Sequence, residues 1–372
     1  MGDISVGEGF TRIEEHDGAE AGKKLFADAS EGMNQIDFGF LFCSSEFDIE
    51  EMASSLQDEM DERDAEWVGV STAGEISNAG STMDSAVLLL VGSDGLEFRT
   101  AVSRDIHREP VESGREAARE AVDDSFLESD RDRILFALMS GLTQKWEGVE
   151  FEILKGITAE IGTDIPMVSE AEGRVIKKIS GKPAAEFYAG AIDKDVGDLK
   201  KMYDMPLGET LKAMGRYFRL KLKGENPLKI QKIFQYSLEN SIAEEISPGN
   251  FRVITPLSVT GDNGIMMTSR VEENQSIHVV RGERENIINA ARDAFDEMDP
   301  EKDNPLFGIV SDCTCRNQLL KDEEKQEEVN KLRSFLGCPV VGFYGYGEIG
   351  GKGEEFSTFK NQTVSGFVFT ER

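Results

Sequence analysis

Histidine, cysteine and tryptophan are scarce in this chain: three, four and two among 372 residues. His16, His107 and His278 offer little to a histidine-rich metal site or a relay of general bases, and no metal is expected. Cys43, Cys313, Cys315 and Cys338 are too few for a disulfide framework. The Cys-x-Cys at 313–315 has neither zinc-ribbon spacing nor a histidine near it in sequence, so the thiols read as small apolar residues. No run approaches the ~18 consecutive apolar residues of a membrane helix. The start MGDISVGEGFTRIEEHD is polar and acidic, with Val6 where an N-myristoylation signal needs a hydroxyl. The sequon Asn361-Gln362-Thr363 has no meaning without a secretory leader. A soluble, cytoplasmic protein with no membrane span is expected.

Positive charge is also short. Forty-one lysines and arginines face 71 acids, a net charge of −30. Acidic runs such as QDEMDERDAEW and KDEEKQEEVNK fall on helix faces, where they are solvated surface. Self-repulsion of this size opposes a compact state at low ionic strength. The composition fits a salty cytoplasm and points to a halophilic archaeon. Without a basic stripe to meet phosphates, nucleic acid is not an expected partner.

What the chain does contain is repetition. WVGVSTAGEISNAG at 67–80 and VVGFYGYGEIGGKG at 340–353 share Val68/Val341, Gly69/Gly342, Gly74/Gly347, Glu75/Glu348, Ile76/Ile349 and Gly80/Gly353 at an offset of 273. Each copy follows a Phe-Gly strand, FGFLFC from Phe38 and FGIVSDC from Phe307, and a charged helical stretch at 48–63 or 319–336. Further helices precede the Phe-Gly strands at 19–29 and 284–295. A worn third copy runs through a helix at 112–122, a strand at 133–141, a helix at 151–162 and IPMVSEAEG at 165–173. Short Val/Ile/Leu/Phe runs alternating with helices predict an α/β protein of repeated helix-strand-helix-strand units, in two related mixed-sheet domains. The stretches 86–102, 174–193 and 356–370 read as antiparallel additions, with Ser93-Asp94-Gly95 turning a hairpin.

The turn GYGEIGGKGEE holds five glycines in eleven residues, more than a hairpin needs. Clustered backbone N–H groups in such a turn can cradle an anion. Gly351-Lys352 is followed by Gly353, so the hydroxyl of a nucleotide-binding P-loop is missing. Because Glu75 recurs as Glu348, Gly74 and Glu75 read as a structural turn. For Glu348 a structural role and a ligand contact both stand.

The run Cys315-Arg316, Pro339-Val340-Val341-Gly342-Phe343, Tyr346-Gly347-Glu348-Ile349-Gly350 and Asn361-Gln362-Thr363 resembles the carboxyl-terminal signature of the FIST family of intracellular sensory domains. ITPLSVTGDNGIMMTSRVEENQSIHVVRGERENIINAA at 254–291 resembles the opening of the same domain, and WVGVSTAGEI the family's amino-terminal part. The family's usual glycine pair is missing at 165–180. The resemblance implies a FIST N-like domain over 1–200 and a FIST C-like domain over 201–372, standing alone without an output domain. It implies small-molecule sensing and signal transduction, through a protein partner if one exists, with an amino acid or similar small anion or zwitterion as ligand. The residues expected to bind it are Arg316 for a carboxylate, Glu348 for an amine or turn amides, Tyr346, Gly347 and Asn361 beside them, and Cys315 behind. The family also implies an alternative, a haem-binding nitric-oxide sensor, with His278 in the alternating strand QSIHVVRG as axial ligand; otherwise no cofactor is expected. A cysteine-dependent enzyme built on Cys315, with Glu348 as acid or base, is the third reading, but no nucleophile-base-orienter set is visible.

The charge makes a prediction. Melting temperature should keep rising with potassium chloride beyond the range where screening saturates, the Debye length being ~3 Å at 1 M. A melting temperature that is flat from low to molar salt removes the halophilic reading.

Overall fold

The computed structural model describes residues 4–103, 109–122, 138, 166–203, 236–247, 250–295, 298–346, 348–350, 358–360 and 362–370. Its first unit runs β1 (Ile4–Arg12), α1 (Gly18–Ala29), β2 (Phe38–Ser44), α2 (Ile49–Asp61), β3 (Glu66–Thr72), β4 (Glu75–Ser77), β5 (Gly80–Thr82) and β6 (Ser85–Ser93). Helix α3 (Pro110–Ala121) follows. A middle unit comprises β7 (Val168–Glu172), β8 (Val175–Ile179), β9 (Lys182–Pro183), α4 (Ala184–Ala191), α5 (Val196–Met202), β10 (Asn240–Ser247), β11 (Asn250–Ile254), β12 (Pro256–Val259), β13 (Ile265–Met267) and β14 (Ser276–Arg281). The last unit is α6 (Arg284–Asp293), α7 (Pro300–Asp303), β15 (Pro305–Cys313), α8 (Thr314–Leu319), α9 (Asp322–Leu336), β16 (Val340–Gly345), β17 (Glu348–Gly350), β18 (Thr358–Lys360) and β19 (Val364–Thr370).

The first and last units use the same pairing. β2 and β3 are parallel, with Phe40 opposite Val68, and β15 and β16 are parallel, with Ile309 opposite Val341. Each first strand has an antiparallel neighbour on its other side, β6 or β19. Sequence alternation sorts the side chains. Phe38, Phe40, Phe42, Val87, Leu89 and Val91 point to one face of the first sheet, and Leu41, Cys43, Ala86, Leu88 and Leu90 to the other. The second set packs under α1 and α2, whose Leu25, Phe26, Met52, Leu56 and Met60 recur at helical spacing. The first set meets Phe307, Ile309, Val341, Phe343, Phe367 and Phe369 of the last unit. Behind that second sheet, Val310, Val340 and Tyr344 pack against Ala291 of α6 and Val329, Leu332 and Leu336 of α9. The two units therefore stack as helices, sheet, sheet, helices. Asp17 and Asp48 cap α1 and α2 through bonds to Gly18 N and Glu51 N. Gly9 of β1 is required because a Cβ there would lie 2.0 Å from the carbonyl oxygen of Leu25 in α1.

The units exchange an element. β4 and β5 leave the first sheet and complete the edge of the second, in the order β19-β15-β16-β4-β5. Gly74, with φ +142, permits the crossing; Tyr344 N donates to its carbonyl at 2.8 Å, and Ala73 N donates to Tyr344 O at 2.9 Å. The second Gly-Glu-Ile behaves differently: β17 pairs with β18 of its own unit.

Two expectations are revised. Residues 96–102 form no ladder with β6. The Ser93 hydroxyl accepts from Gly95 N and Leu96 N, and Phe98 is held by its ring, stacked 4.5 Å from Phe38. Residues 184–191 are helical, because Ala184, Ala185, Tyr188 and Ala189 form a helical stripe over the middle core. Strand β14 joins β10 and β11 in a three-stranded sheet. Of the third copy, α3 is the expected helix and β7 pairs antiparallel with β8, whereas 133–137, 139–141 and 151–162 lie outside the described residues. The sheet β12-β13-β8-β7 joins segments from both sides of residue 200.

Phe42 is fully buried between the sheets and stacks on Phe343 at 5.0 Å. Phe42→Ala should destabilise the protein by ~3–5 kcal/mol, read as a lower urea midpoint with an unchanged slope.

Candidate functional site

Opposed residues Cys313 and Gly345 end the parallel pair β15–β16, so the chain following each opens on one sheet edge. Helix α8 starts at once after β15, and its Arg316 turns inward, 3% exposed. Its Nε donates to Asp312 Oδ1 at 2.7 Å, and its Nη2 donates to Ile287 O at 2.9 Å and to Glu328 Oε1. The carboxylates that Arg316 meets are thus the protein's own, at the end of β15 and on the buried face of α9. No described hydrogen bond engages Nη1.

Both acids are buried and their protons held more tightly than usual. Burial raises Asp312 against the pull of Arg316, and burial, then the charge of Asp312, pushes Glu328 up to about 8. Burial works against the guanidinium, but Asp312 and Glu328 keep it charged. One arginine, one ionised and one protonated acid make the triad neutral, which limits the desolvation penalty of burying it. Glu328 Oε2 is buried and has no hydrogen-bond partner among the described residues.

Of the other expected ligand residues, Cys315 and Tyr346 are described with their side chains. Cys315 is half-buried and packs on the apolar cluster of Leu238, Ile287, Ile288, Leu319 and Leu320. Tyr346 is 40% exposed. Gly347 and Asn361 lie outside the described residues, as does the side chain of Glu348. His278 is in β14, its ring edge-on to Phe251 at 5.2 Å and its Nε2 4.0 Å from Glu245.

A cavity of about 50 Å³ opens between β14, α6 and α8. Leu238, Val253, Val280, Ile287 and Leu319 give it apolar walls, and Arg281, Glu283, Asn286, Arg316 and Gln362 polar ones. Glu283 makes no side-chain cap to α6, leaving backbone N–H groups at that helix start. Arg281 is exposed, and its guanidinium lies 4.0 Å from the carboxylate of Asp193, itself 94% exposed. Sequence reasoning missed Arg281, Glu283 and Asn286; the signal was the charged turn RGEREN between an apolar strand and a helix. It also missed Glu328, which shares the helical stripe of Val329 and Leu332.

Glu75 is fully buried. The hydroxyls of Thr72 and Ser85 donate to its two carboxyl oxygens, and Thr82 Oγ1 lies 2.8 Å from Ser85 Oγ. Burial pushes this carboxyl up to about 7 despite those bonds. Burial, followed by the charge of Glu75, pushes the Cys43 thiol up to about 12.

Among the described residues no helix is long and apolar enough to cross a membrane, and no cluster of three or more His, Cys, Asp or Glu could hold a metal. The family model of the FIST N domain matches residues 37–169, and that of the FIST C domain matches residues 184–351. No curated protein matches the chain.

The buried acids set a pH dependence. Glu328 binds its proton more tightly folded than unfolded, so the folded state holds more protons from the ordinary glutamate range up to about 8. Stability should therefore fall as pH rises through that window and level off above it. Glu328→Gln, which can still accept from Arg316 and donate to Asp312, should flatten the fall. Glu75, shifted the same way, leaves a residual slope. Chemical denaturation from pH 5 to 9 reads this, and identical slopes in both proteins would place the proton elsewhere.

Proposed function

The chain belongs to the FIST family of sensory signal-transduction modules, and on that premise we propose that it senses a small zwitterion, an amino acid or a close relative, at the cavity where α6 begins. The observation that carries this reading is the lining of that cavity. Opposite charges, Arg281 and Glu283, and two amides, Asn286 and Gln362, face apolar walls. A volume of about 50 Å³ leaves room for the charged head of such a ligand. The uncapped start of α6 and Arg281 favour a carboxylate there. The pairing of Arg281, 64% exposed, with Asp193 is a weak surface one. Arg316, clamped by Asp312 and Glu328, is a donor already oriented before the ligand arrives.

Glu348 fits the ammonium end. In the first unit the hydroxyl of Thr72 holds Glu75, whereas the offset of 273 puts Gly345 in that position in the last unit. Position 345 thus offers Glu348 no hydroxyl, and Glu348 is the copy assigned here to the ligand. Signal output through a protein partner belongs to the same reading.

A thermal-shift panel of the natural amino acids tests the proposal, since a ligand well above its Kd raises the melting point. At least one should do so. Calorimetry should then show affinity reduced about tenfold or more in Arg281→Gln and in Glu348→Gln, and nearly as much in Arg316→Lys as in Arg316→Ala, because a lysine cannot replace the planar fork. A panel with no shift, or unchanged affinity in the folded Arg281→Gln and Glu348→Gln proteins, overturns it.

A further inference from the structure

We infer that the cavity selects a ligand whose cationic end carries N–H groups, a primary ammonium rather than a quaternary one, and that Gln362 selects it. The inference rests on the amino-acid reading of the same cavity and adds which end group it accepts. Gln362 stands two residues before β19, in left-handed backbone with φ +59, and lines the cavity with Arg316 and Asn286. Its amide is fixed from behind. Nε2 donates to Ser241 Oγ at 2.5 Å and to Thr255 Oγ1 at 3.0 Å, both on buried residues. Ser241 directs its one hydroxyl hydrogen to the carbonyls of Ser237 and Leu238, at 3.0 and 3.3 Å, so its oxygen must accept. An amide turned the other way would set oxygen against oxygen there.

The nitrogen is thereby held by β10 and by the junction of β11 and β12, and no described hydrogen bond engages Oε1. Gln362 offers the cavity an acceptor, not a donor. A carboxylate gains nothing from such an atom, whereas an ammonium that carries hydrogens does. A quaternary ammonium has none to give, and the other way to hold one is a cage of aromatic rings. The apolar walls described for the cavity are Leu238, Val253, Val280, Ile287 and Leu319, with no ring among them. A trimethylated zwitterion would therefore cover the Gln362 oxygen without pairing it, which costs affinity.

The test compares, on the full-length protein, the thermal shift given by each natural amino acid with a primary amine and by its N,N,N-trimethyl derivative at the same concentration. Calorimetry then follows the amino acid of largest shift on Gln362→Met and Gln362→Glu. The amino acid should raise the melting temperature and its trimethyl derivative should not. Gln362→Met, which keeps the volume without the acceptor, should weaken binding about tenfold or more. Gln362→Glu, which keeps an oxygen but has no N–H for Ser241, should bind as tightly as wild type or more so. Both variants should melt lower than wild type without ligand, and only an acceptor role separates their affinities. An equal shift from the trimethyl derivative, an affinity unchanged in Gln362→Met, or an equal loss in both variants overturns this inference alone. No shift from any amino acid overturns the reading beneath it as well. Where Gln362→Met fails to fold, the wild-type comparison and Gln362→Glu decide.

Discussion

The architecture depends on one apolar contact, the phenylalanine-rich faces of two sheets pressed together. Phe38, Phe40 and Phe42 project from one side of β2 because alternate residues of a strand share a face, and Phe307, Phe343, Phe367 and Phe369 meet them from the other sheet. Each sheet then has a second apolar face that only helices can cover, and α1, α2, α6 and α9 do so. A strand with no solvent face has no polar positions to spare. That is why β2 and β6 read as continuous apolar runs, and why polar chemistry is confined to strand ends.

This constraint also decides what could be read from the sequence. Strands β2, β15 and β16 and helices α1, α2, α6 and α9 were legible, since burial on two faces or one helical stripe leaves a strong periodic trace. The partner of β4 was not: backbone pairing is sequence-blind, and nothing in GEIS says it will hydrogen-bond to residues some 270 positions away. Alanine-rich 184–191 misled because small apolar residues suit a strand or a helix, and only the stripe through Tyr188 decides. At the site, Arg316 was legible as special but its partners were not, because Glu328 sits among charged neighbours in DEEKQEEVNK and only the helix's rotation buries it. The cavity residues Arg281, Glu283 and Asn286 stood in plain view as an ordinary charged turn.

The buried triad converts that rotation into position. Asp312 ends a core strand, Glu328 faces inward from α9, and Arg316 bonds both while holding the carbonyl of Ile287 in α6. One guanidinium thereby fixes three elements around the cavity. A hydrophobic replacement of similar volume could match its stability but not its directionality.

The exchanged hairpin makes the two units a single cooperative body. Residues 75–82 belong by sequence to the first unit, yet they supply the strands that cover the open edge of β16. Gln326 of α9 grips Ser81 through both N and O, and Arg333 bonds Asn78, so the loan is secured by side chains as well. A last unit expressed alone would present β16 as a bare, apolar edge, a template for pairing with any other extended chain. Cutting this protein between its two family domains should therefore yield aggregating fragments that recover solubility only when the halves are brought back together.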